Sequence, residues 1–186
     1  MKKPCLILLI RSAGMNTNWT VVEVLRHARH DWMNKLQLIK GNLALNRPER
    51  AQQIIEEIVL EAQQESRLSN LKLTKFATLL LTFNWENHFF SIDYDIIDQS
   101  FLNELDDDAL YDWFITFFRL LDEAVVPYQD HQLSITIKDS HESAKFFLDF
   151  GGILKNDQLV LEWLESQNRI IMEHWDKEQF AFHIHF

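Results

Sequence analysis

The sequence predicts an α+β protein in which two long amphipathic helices precede a small domain of strands and helices. The first observation is a series of apolar residues spaced three and four apart, which is typical of one buried stripe on a helix. The second is a break at 46–49, where Pro48 ends one such pattern and starts another. The third is a change after about Leu73 to short alternating segments that favour strands.

The first helix is expected over 21–45. Thr20 is the expected N-cap, and Glu23, three residues later, completes a capping box. The apolar stripe consists of Val21, Leu25, Ala28, Trp32, Leu36, Ile39 and Leu43. His30 lies midway between two members of this stripe, so at about 100° per residue its side chain points roughly away from it. We therefore expect His30 to be accessible to a partner.

The second helix follows Pro48. Its apolar side carries Ile54, Ile55, Ile58, Val59 and Ala62, with Leu68 beyond. A short break between two long amphipathic helices favours an antiparallel hairpin. Because one hairpin cannot bury both stripes well, we expect two copies to form a dimeric four-helix bundle. The expected division is a disordered or dispensable extension at 1–14, the hairpin at 15–73 and the α+β domain at 74–186.

The second half alternates between the two kinds of pattern. Helices are expected at 76–85, 106–126 and 156–166, and strands at 89–94, 133–137, 146–150 and 180–186. Asp107 or Asp108 is the expected cap of the middle helix. We expect a short sheet with its helices on one face, and four histidines at the surface. These are His88, His131, His141 and His174.

The composition excludes several classes of function. A net charge of −10 disfavours a general nucleic-acid-binding protein, which needs concentrated basic residues to neutralise phosphates. The single cysteine, Cys5, rules out an internal disulfide and fits a reducing cytoplasm. The apolar run at 5–10 is far too short to cross a membrane. The pairs His27/His30 and His183/His185 have no convincing third ligand, so no metal site is expected.

Basic residues nevertheless cluster around His30. The cluster comprises Arg26, His27, Arg29, Lys35 and Lys40. Asn34, Gln37 and Gly41 follow His30 at offsets of four, seven and eleven and form a narrow polar strip beside it. A solvated helix face would give the same cluster, so the charges alone do not assign a role.

Three segments of the chain carry a family resemblance. His30-Asp31, Asn34-Lys35-Leu36-Gln37 and Gly41 resemble the phosphoacceptor box of two-component sensor histidine kinases. With the segments at 65–72 and 81–85, the last reading Leu-Thr-Phe-Asn-Trp, the chain resembles the sporulation initiation phosphotransferase B family of spore-forming Bacillus-type bacteria. The resemblance is strong over 21–85, and it is weaker but still ordered through the rest of the chain.

This resemblance implies a phosphorelay. His30 would accept a phosphoryl group from the aspartate of a single-domain response regulator and pass it to a response-regulator transcription factor that commits the cell to sporulation. Arg29 would contact phosphoryl oxygens, Asp31 would orient the imidazole, and Asn34 would hydrogen-bond to a partner loop. The expected docking contacts are Arg26, His27, Lys35, Gln37, Leu38 and Gly41. The chain itself is expected to bind no cofactor, because Mg²⁺ would come with the regulator's acidic pocket.

The second domain resembles a histidine-kinase ATP-binding domain that has lost its nucleotide site. Glu123 stands where such kinases carry a magnesium-binding asparagine, and Ile153 stands where the glycine-rich box needs a glycine. ATP is therefore not expected as phosphoryl donor, although Asp149 keeps the place of an adenine-contacting aspartate. Two other functions stay open: a non-catalytic scaffold that binds a response regulator, and an ATP-dependent histidine kinase.

Overall fold

The computed structural model of the protein describes residues 19–97, 102–140 and 143–186. The extension expected at 1–14 and the surface position expected for His141 lie outside these residues. Within the described ranges, no helix combines the length and the apolar character needed to span a bilayer.

The first two helices form the expected antiparallel hairpin. Helix α1 runs over Val21–Ala44 and helix α2 over Pro48–Ser69, with proline in the first turn of α2. The predicted capping box is present, because Thr20 Oγ1 accepts from Glu23 N at 3.3 Å and Glu23 Oε2 accepts from Thr20 N at 2.9 Å. Local sequence therefore fixes both the start of α1 and the break between the helices.

The apolar stripe of the hairpin is largely uncovered within one chain. Helix α1 has no buried residue, and α2 has only Ala51, Ile54 and Leu68. Within helices α1 and α2, the large apolar side chains that are at least about half exposed are Val21, Val22, Leu25, Trp32, Met33, Leu36, Leu38, Leu43, Ile55, Val59 and Leu60. Most of the predicted stripe on α1 is among them, so the described residues of the same chain do not cover it.

The C-terminal domain is an α+β unit, as expected. Its helices are α3 (Thr74–Phe83), α4 (Asp107–Ala124) and α5 (Asp157–Glu165), with a 3₁₀ turn at Leu102–Glu104. Its strands are β1 (Ser91–Ile96), β2 (Gln132–Ser140), β3 (Ser143–Gly151), β4 (Ile170–Trp175) and β5 (Gln179–His185). They form one sheet in the order β1-β2-β3-β5-β4, in which β1 pairs parallel with β2 and the other pairs are antiparallel.

One face of this sheet packs against the helices and forms the core. Alternate residues of β3 are buried, and aromatic side chains of α4 contact them and those of β5. Phe114 lies 5.5 Å from Phe146, and Phe117 lies 5.6 Å from Phe182, between ring centroids. These contacts confirm the expectation of helices on one face and give this domain a continuous buried core.

Two features differ from the sequence expectation. Helix α4 is capped by Asp106, whose carboxylate accepts from the backbone of Asp108 and Ala109, and not by Asp107 or Asp108. Asp107 instead accepts from the backbone N–H groups of Lys75 and Phe76, at 2.8 and 2.9 Å, and so serves the start of α3. Strand β4 was not predicted at all.

The hairpin and the sheet meet at strand β1. Gln64 Oε1 accepts from Ile96 N at 2.9 Å, the Gln64 amide also bonds to Asp95, and the Arg67 guanidinium bonds to Ile96 O. Because β1 is an edge strand, these side chains of α2 form hydrogen bonds with backbone groups that would otherwise be unpaired. The hairpin is thus fastened to one edge of the sheet.

Candidate functional site

The exposed histidine lies on α1 as predicted. The side chain of His30 is 73% exposed. Its Nδ1 lies 3.5 Å from Asp31 Oδ1 and 3.3 Å from Asn34 Nδ2. Both contacts are at Nδ1, and no hydrogen bond between described residues reaches Nε2.

Which nitrogen can act as a nucleophile depends on which ring nitrogen carries the proton. A neutral imidazole carries one N–H and one lone pair. With the Asn34 amide as placed, Nδ2 donates to Nδ1 when Nδ1 carries the lone pair. When Nδ1 carries the proton, it donates toward Asp31 and, with the Asn34 amide reversed, toward Asn34 Oδ1. The Nε2 lone pair then faces solvent. The structure therefore brings Asp31 and Asn34 to the side of the ring opposite the candidate reactive atom.

Asp31 also faces the C-terminal domain. Its Oδ2 accepts from the indole Nε1 of Trp85 at 2.8 Å, across the junction between α1 and the turn after α3. Sequence reasoning named Asp31 as a neighbour of the imidazole but missed Trp85. The only signal for Trp85 was its place in Phe83-Asn84-Trp85, one of the segments that carry the family resemblance.

His27, expected as a docking contact, packs within its own chain. Its ring stacks on Trp85 with centroids 5.3 Å apart and an angle of 19°, and Trp19 meets it edge-on at 5.2 Å. The side chain is half-buried as a result. His27 therefore belongs to the same aromatic junction that places Trp85 beside Asp31.

The other expected docking residues divide into two groups. Lys35 Nζ forms an ion pair with Glu61 Oε2 at 2.7 Å and lies 5.8 Å from the Trp32 ring centroid. The charge of Lys35 is thus partly neutralised by Glu61 within the hairpin. The remaining residues are exposed on α1: Arg26, Arg29, Gln37, Leu38 and Gly41.

A groove runs beside this site between the hairpin and the sheet. Asp31, Lys35 and Leu38 line it from α1, and Glu65 and Tyr94 line it from α2 and β1. Burial raises the pKa of the Glu65 carboxyl, against the opposing effect of Lys35. Burial also raises the pKa of the Tyr94 hydroxyl, and the nearby acidic residues raise it further. The tyrosine is therefore neutral at physiological pH.

In the region that resembles a nucleotide site, side chains and backbone groups of the chain form hydrogen bonds with one another. His131, expected at the surface, is only 5% exposed. Its Nε2 lies 2.7 Å from Val126 O, and its Nδ1 accepts from Ile153 N at 3.2 Å. A Cβ on Gly152 would lie 2.3 Å from that Nδ1, so glycine is needed here to accommodate the imidazole. The remnant of the glycine-rich box thus packs on a histidine.

Two neighbouring acidic residues, Asp122 and Asp149, also form hydrogen bonds within the chain. Asp122, at the end of α4, accepts from Phe89 N at 2.9 Å and contacts His88 Nδ1. His88 was also expected at the surface, but its side chain is only 6% exposed and stacks on Phe83. Asp149 accepts from Gln179 Nε2 at 3.4 Å, and Glu123 is exposed. His174 is exposed, as expected.

The part of the chain that the structure describes contains no group of side chains suited to bind a metal ion. There, three or more His, Cys, Asp or Glu side chains nowhere come together in an arrangement able to hold an ion.

Two solved histidine kinases resemble the fold. The Acinetobacter baumannii histidine kinase AdeS is 10% identical, with a TM-score of 0.39 over 84% of this chain and 96% of its own. An Erythrobacter litoralis blue-light activated histidine kinase is 11% identical, with a TM-score of 0.36 over 92% of this chain and 62% of its own.

Sequence relatives are more informative. Sporulation initiation phosphotransferase B of Bacillus subtilis (strain 168) is 40% identical over 139 residues, which cover 71% of this chain and 70% of the relative. A model of the SpoOB-type sensor-kinase α-helical domain matches residues 13–71, and one of the C-terminal domain of sporulation initiation phosphotransferase B matches residues 72–186. Together the two models span both halves of the molecule, and the chain belongs to the sporulation initiation phosphotransferase B family.

Proposed function

We propose that the chain is a phosphorelay phosphotransferase of sporulation initiation. In this proposal His30 accepts a phosphoryl group from the phospho-aspartate of a single-domain response regulator. It then passes the group to the aspartate of a response-regulator transcription factor. The observation that carries the proposal is the exposed imidazole, whose hydrogen-bond contacts with described residues lie at Nδ1, so that Nε2 is accessible. Membership of a family named for phosphotransferase activity supports it.

The transfer needs no oxidant and no further reactant. The Nε2 lone pair attacks phosphorus, a P–N bond forms, and the bond from phosphorus to the donor's carboxylate oxygen breaks. That oxygen leaves with the electron pair. In the second step a carboxylate of the acceptor regulator attacks phosphorus, and the P–N electron pair returns to Nε2. Both steps are in-line displacements in which positioning and charge stabilisation supply most of the catalysis.

The residues around His30 have separate parts in this proposal. Arg29, exposed next to His30, would contact phosphoryl oxygens, and Arg26 lies one turn earlier on α1. Asn34 would bond to a loop of the regulator. Exposed Gln37, Leu38 and Gly41 would extend the docking surface along the helix. Lys35 would adjoin it, with its charge shared with Glu61.

The partner's chemistry completes the site. Mg²⁺ would be held in the acidic pocket of the regulator, beside its aspartate, and the basic cluster on α1 would complement that pocket. Complementary charge mainly speeds association. Such a relay would operate in the cytoplasm, where response regulators act.

The working unit in this proposal is a homodimer. The uncovered stripe on α1 and α2 is apolar and continuous along the hairpin, and a second hairpin would bury it in a four-helix bundle. Each dimer would present two copies of His30. The docking surface would then lie on the outside of the bundle, where the His30 side chain is exposed.

We also propose that the phosphoryl group does not come from ATP. Glu123 in place of asparagine supports this view, as does the packing of Gly152 on the buried His131. Incubation of the purified protein with labelled ATP and Mg²⁺ should leave it unlabelled. Label that is stable to base and labile to acid, present in the wild type and absent from His30→Gln, would show kinase activity instead.

The transfer itself is tested with purified components. A phosphorylated single-domain regulator from a spore-forming relative should label the wild type, and His30→Gln should take up no label. His174→Gln is the matched control, because His174 is also exposed but lies on β4 and contacts Asp176. It should label as the wild type does. Equal labelling of His30→Gln would contradict the proposal, and absence of label in every form would favour the scaffold function.

A further inference from the structure

The contact between Trp85 and Asp31 links the C-terminal domain to the residue beside His30. The indole Nε1 donates to Asp31 Oδ2 at 2.8 Å, a normal length for this bond. The other oxygen of the same carboxylate faces His30 Nδ1 at 3.5 Å. One carboxylate is therefore shared between the phosphotransfer helix and the second domain.

Trp85 is itself held firmly. Asn84, the residue before it, bonds twice to Ile92 on β1: its Nδ2 donates to Ile92 O at 2.7 Å, and its Oδ1 accepts from Ile92 N at 3.0 Å. Phe83, the residue before that, is fully buried in the core. Trp85 N also donates to Thr82 O at 3.0 Å. The segment Phe83-Asn84-Trp85 thus combines a side chain buried in the core, two hydrogen bonds to strand β1 and an indole N–H that donates to a residue of α1.

The indole is fixed from the hairpin side as well. His27 stacks on Trp85, and Trp19 meets Trp85 edge-on with centroids 5.6 Å apart. His27 and Asp31 are four residues apart on α1, so they share one face of the helix. Both therefore contact the same indole, which leaves little freedom for its ring to rotate away from the carboxylate.

We propose that Trp85 is a positioning residue for phosphoryl transfer, acting through Asp31 on the tautomer and orientation of the His30 ring. The inference rests on the function proposed above. It assigns the C-terminal domain a direct part in the reaction: this domain holds the carboxylate against Nδ1. Trp85 touches neither His30 nor the phosphoryl group in this account.

The chemical reason lies in the choice between two neutral forms of the imidazole. A carboxylate facing Nδ1 favours the form with the proton on Nδ1, which leaves the Nε2 lone pair free to attack phosphorus. Without the indole donor, the Asp31 side chain is free to turn toward solvent. The Nε2–H form, which cannot attack through Nε2, then gains population.

The chain offers a matched pair of tryptophans for the test. Trp85→Phe keeps an aromatic ring for His27 and removes the donor to Asp31. Trp19→Phe removes an indole from the same junction, but its Nε1 donates to Glu86 at 3.3 Å and not to Asp31. Both variants are full-length, and each loses one indole N–H. They differ because only Trp85→Phe loses an N–H that donates to Asp31.

The first readout is the single-turnover rate of transfer from a phosphorylated regulator, measured as a function of regulator concentration. Trp85→Phe should lower the saturating rate by about three- to tenfold, the size expected for one hydrogen bond. The regulator concentration at half-saturation should stay unchanged. Trp19→Phe keeps an aromatic ring against Trp85 and loses only the N–H that donates to Glu86, so it should keep the rate within about twofold. Asp31→Asn combined with Trp85→Phe should be no slower than Asp31→Asn alone, since both act on one carboxylate.

The second readout is the ¹⁵N chemical shift of the His30 ring nitrogens, recorded where the ring is neutral. The wild type and Trp19→Phe should show a lone-pair signal at Nε2, and Trp85→Phe should move it toward the N–H value. An unchanged rate and shift in Trp85→Phe would overturn the proposal. Equal losses in the two tryptophan variants, or a change in half-saturation alone, would also overturn it. Labelling of His30→Gln would instead refute the relay itself.

Discussion

The hairpin and the C-terminal domain both contain long amphipathic helices, yet the described residues of the chain cover the apolar face of α4 and leave that of α1 exposed. Helix α1 has 24 residues and none is buried, whereas α4 has 18 residues, of which eight are buried. The apolar period predicts that a face will be covered, but it does not say by what. The apolar face of α4 is covered by a sheet of the same chain. For the apolar face of α1, we propose that a second copy of the chain covers it.

This difference separates what each region can do alone. The C-terminal domain holds a continuous core of aromatic and aliphatic residues and is expected to account for most of the stability of a single chain. The hairpin depends on two supports within the chain, the junction at Trp85 and the bonds from α2 to β1, and in the proposed homodimer on a partner hairpin as well. Its helices are therefore the part in which association and docking should have their largest effects.

The largest effect on stability is expected in the sheet domain. Phe114→Ala should lower the free energy of unfolding by about 3–5 kcal/mol, because it empties a fully buried site between α4 and β3. Ile171→Ala, at an exposed position on β4, should cost less than about 0.5 kcal/mol. Urea unfolding followed by tryptophan fluorescence measures both. Similar costs for the two variants would show that the core is not where the structure places it.

The next effect separates association from folding. Leu36→Lys, on the uncovered stripe of α1, should weaken the dimer by about 2–3 kcal/mol and leave the unfolding of the sheet domain unchanged. Leu60→Lys is the control, since Leu60 is exposed on α2 but lies off the apolar stripe. Sedimentation equilibrium over a range of concentrations measures the dissociation constant. Equal weakening by the two variants would contradict an interface along the stripe.

A smaller effect on the free energy of unfolding is expected for the junction between the hairpin and the C-terminal domain. Asn84→Ala should cost about 1–3 kcal/mol, because it leaves the N–H and C=O of Ile92 without their side-chain partner. Asn42→Ala, which removes one exposed bond to Leu38 O on α1, should be close to neutral. Thermal unfolding of both variants provides the comparison. An equal and small loss in each would indicate that Asn84 does not hold the junction.

The smallest effect is confined to the start of the hairpin. Thr20→Ala should destabilise the first turn of α1 by about 1 kcal/mol, detectable as faster hydrogen exchange there and not in the sheet. The bonds from Thr20 lower the pKa of Glu23, so the cap stabilises the helix above the pKa of Glu23 in the unfolded chain. That stabilisation is lost as pH falls through the lower pKa of the folded state. The difference between variant and wild type should therefore shrink in acid.

The sequence predicted most strongly those features that are determined locally. The capping box at Thr20 and Glu23, the break at Pro48 and the alternation in β3 each depend on neighbouring residues, and all are present. The accessible position of His30 also followed from helical period alone. These signals need no knowledge of the rest of the fold.

The features that were missed depend on contacts between distant segments. The cap of α4 could not be chosen within a run of three aspartates, because the structure uses Asp107 to bond the start of α3. Strand β4 escaped notice because a register shift between Met172 and His174 breaks its alternation. The burial of His131 depends on Val126 and Ile153, which lie on either side of it in the chain. The bond from Trp85 to Asp31 spans 54 positions.

The measurement that tests the relay most directly is the site of the phosphoryl group. Trypsin cleaves after lysine and arginine, so His30 falls in the peptide 30–35 and His27 in the separate peptide 27–29. After a short reaction with a phosphorylated regulator, mass spectrometry at alkaline pH, where phosphohistidine survives, should find the added phosphate in the peptide 30–35. Phosphate on 27–29, or on any other peptide in place of 30–35, would contradict the assignment of His30 as the phosphoacceptor.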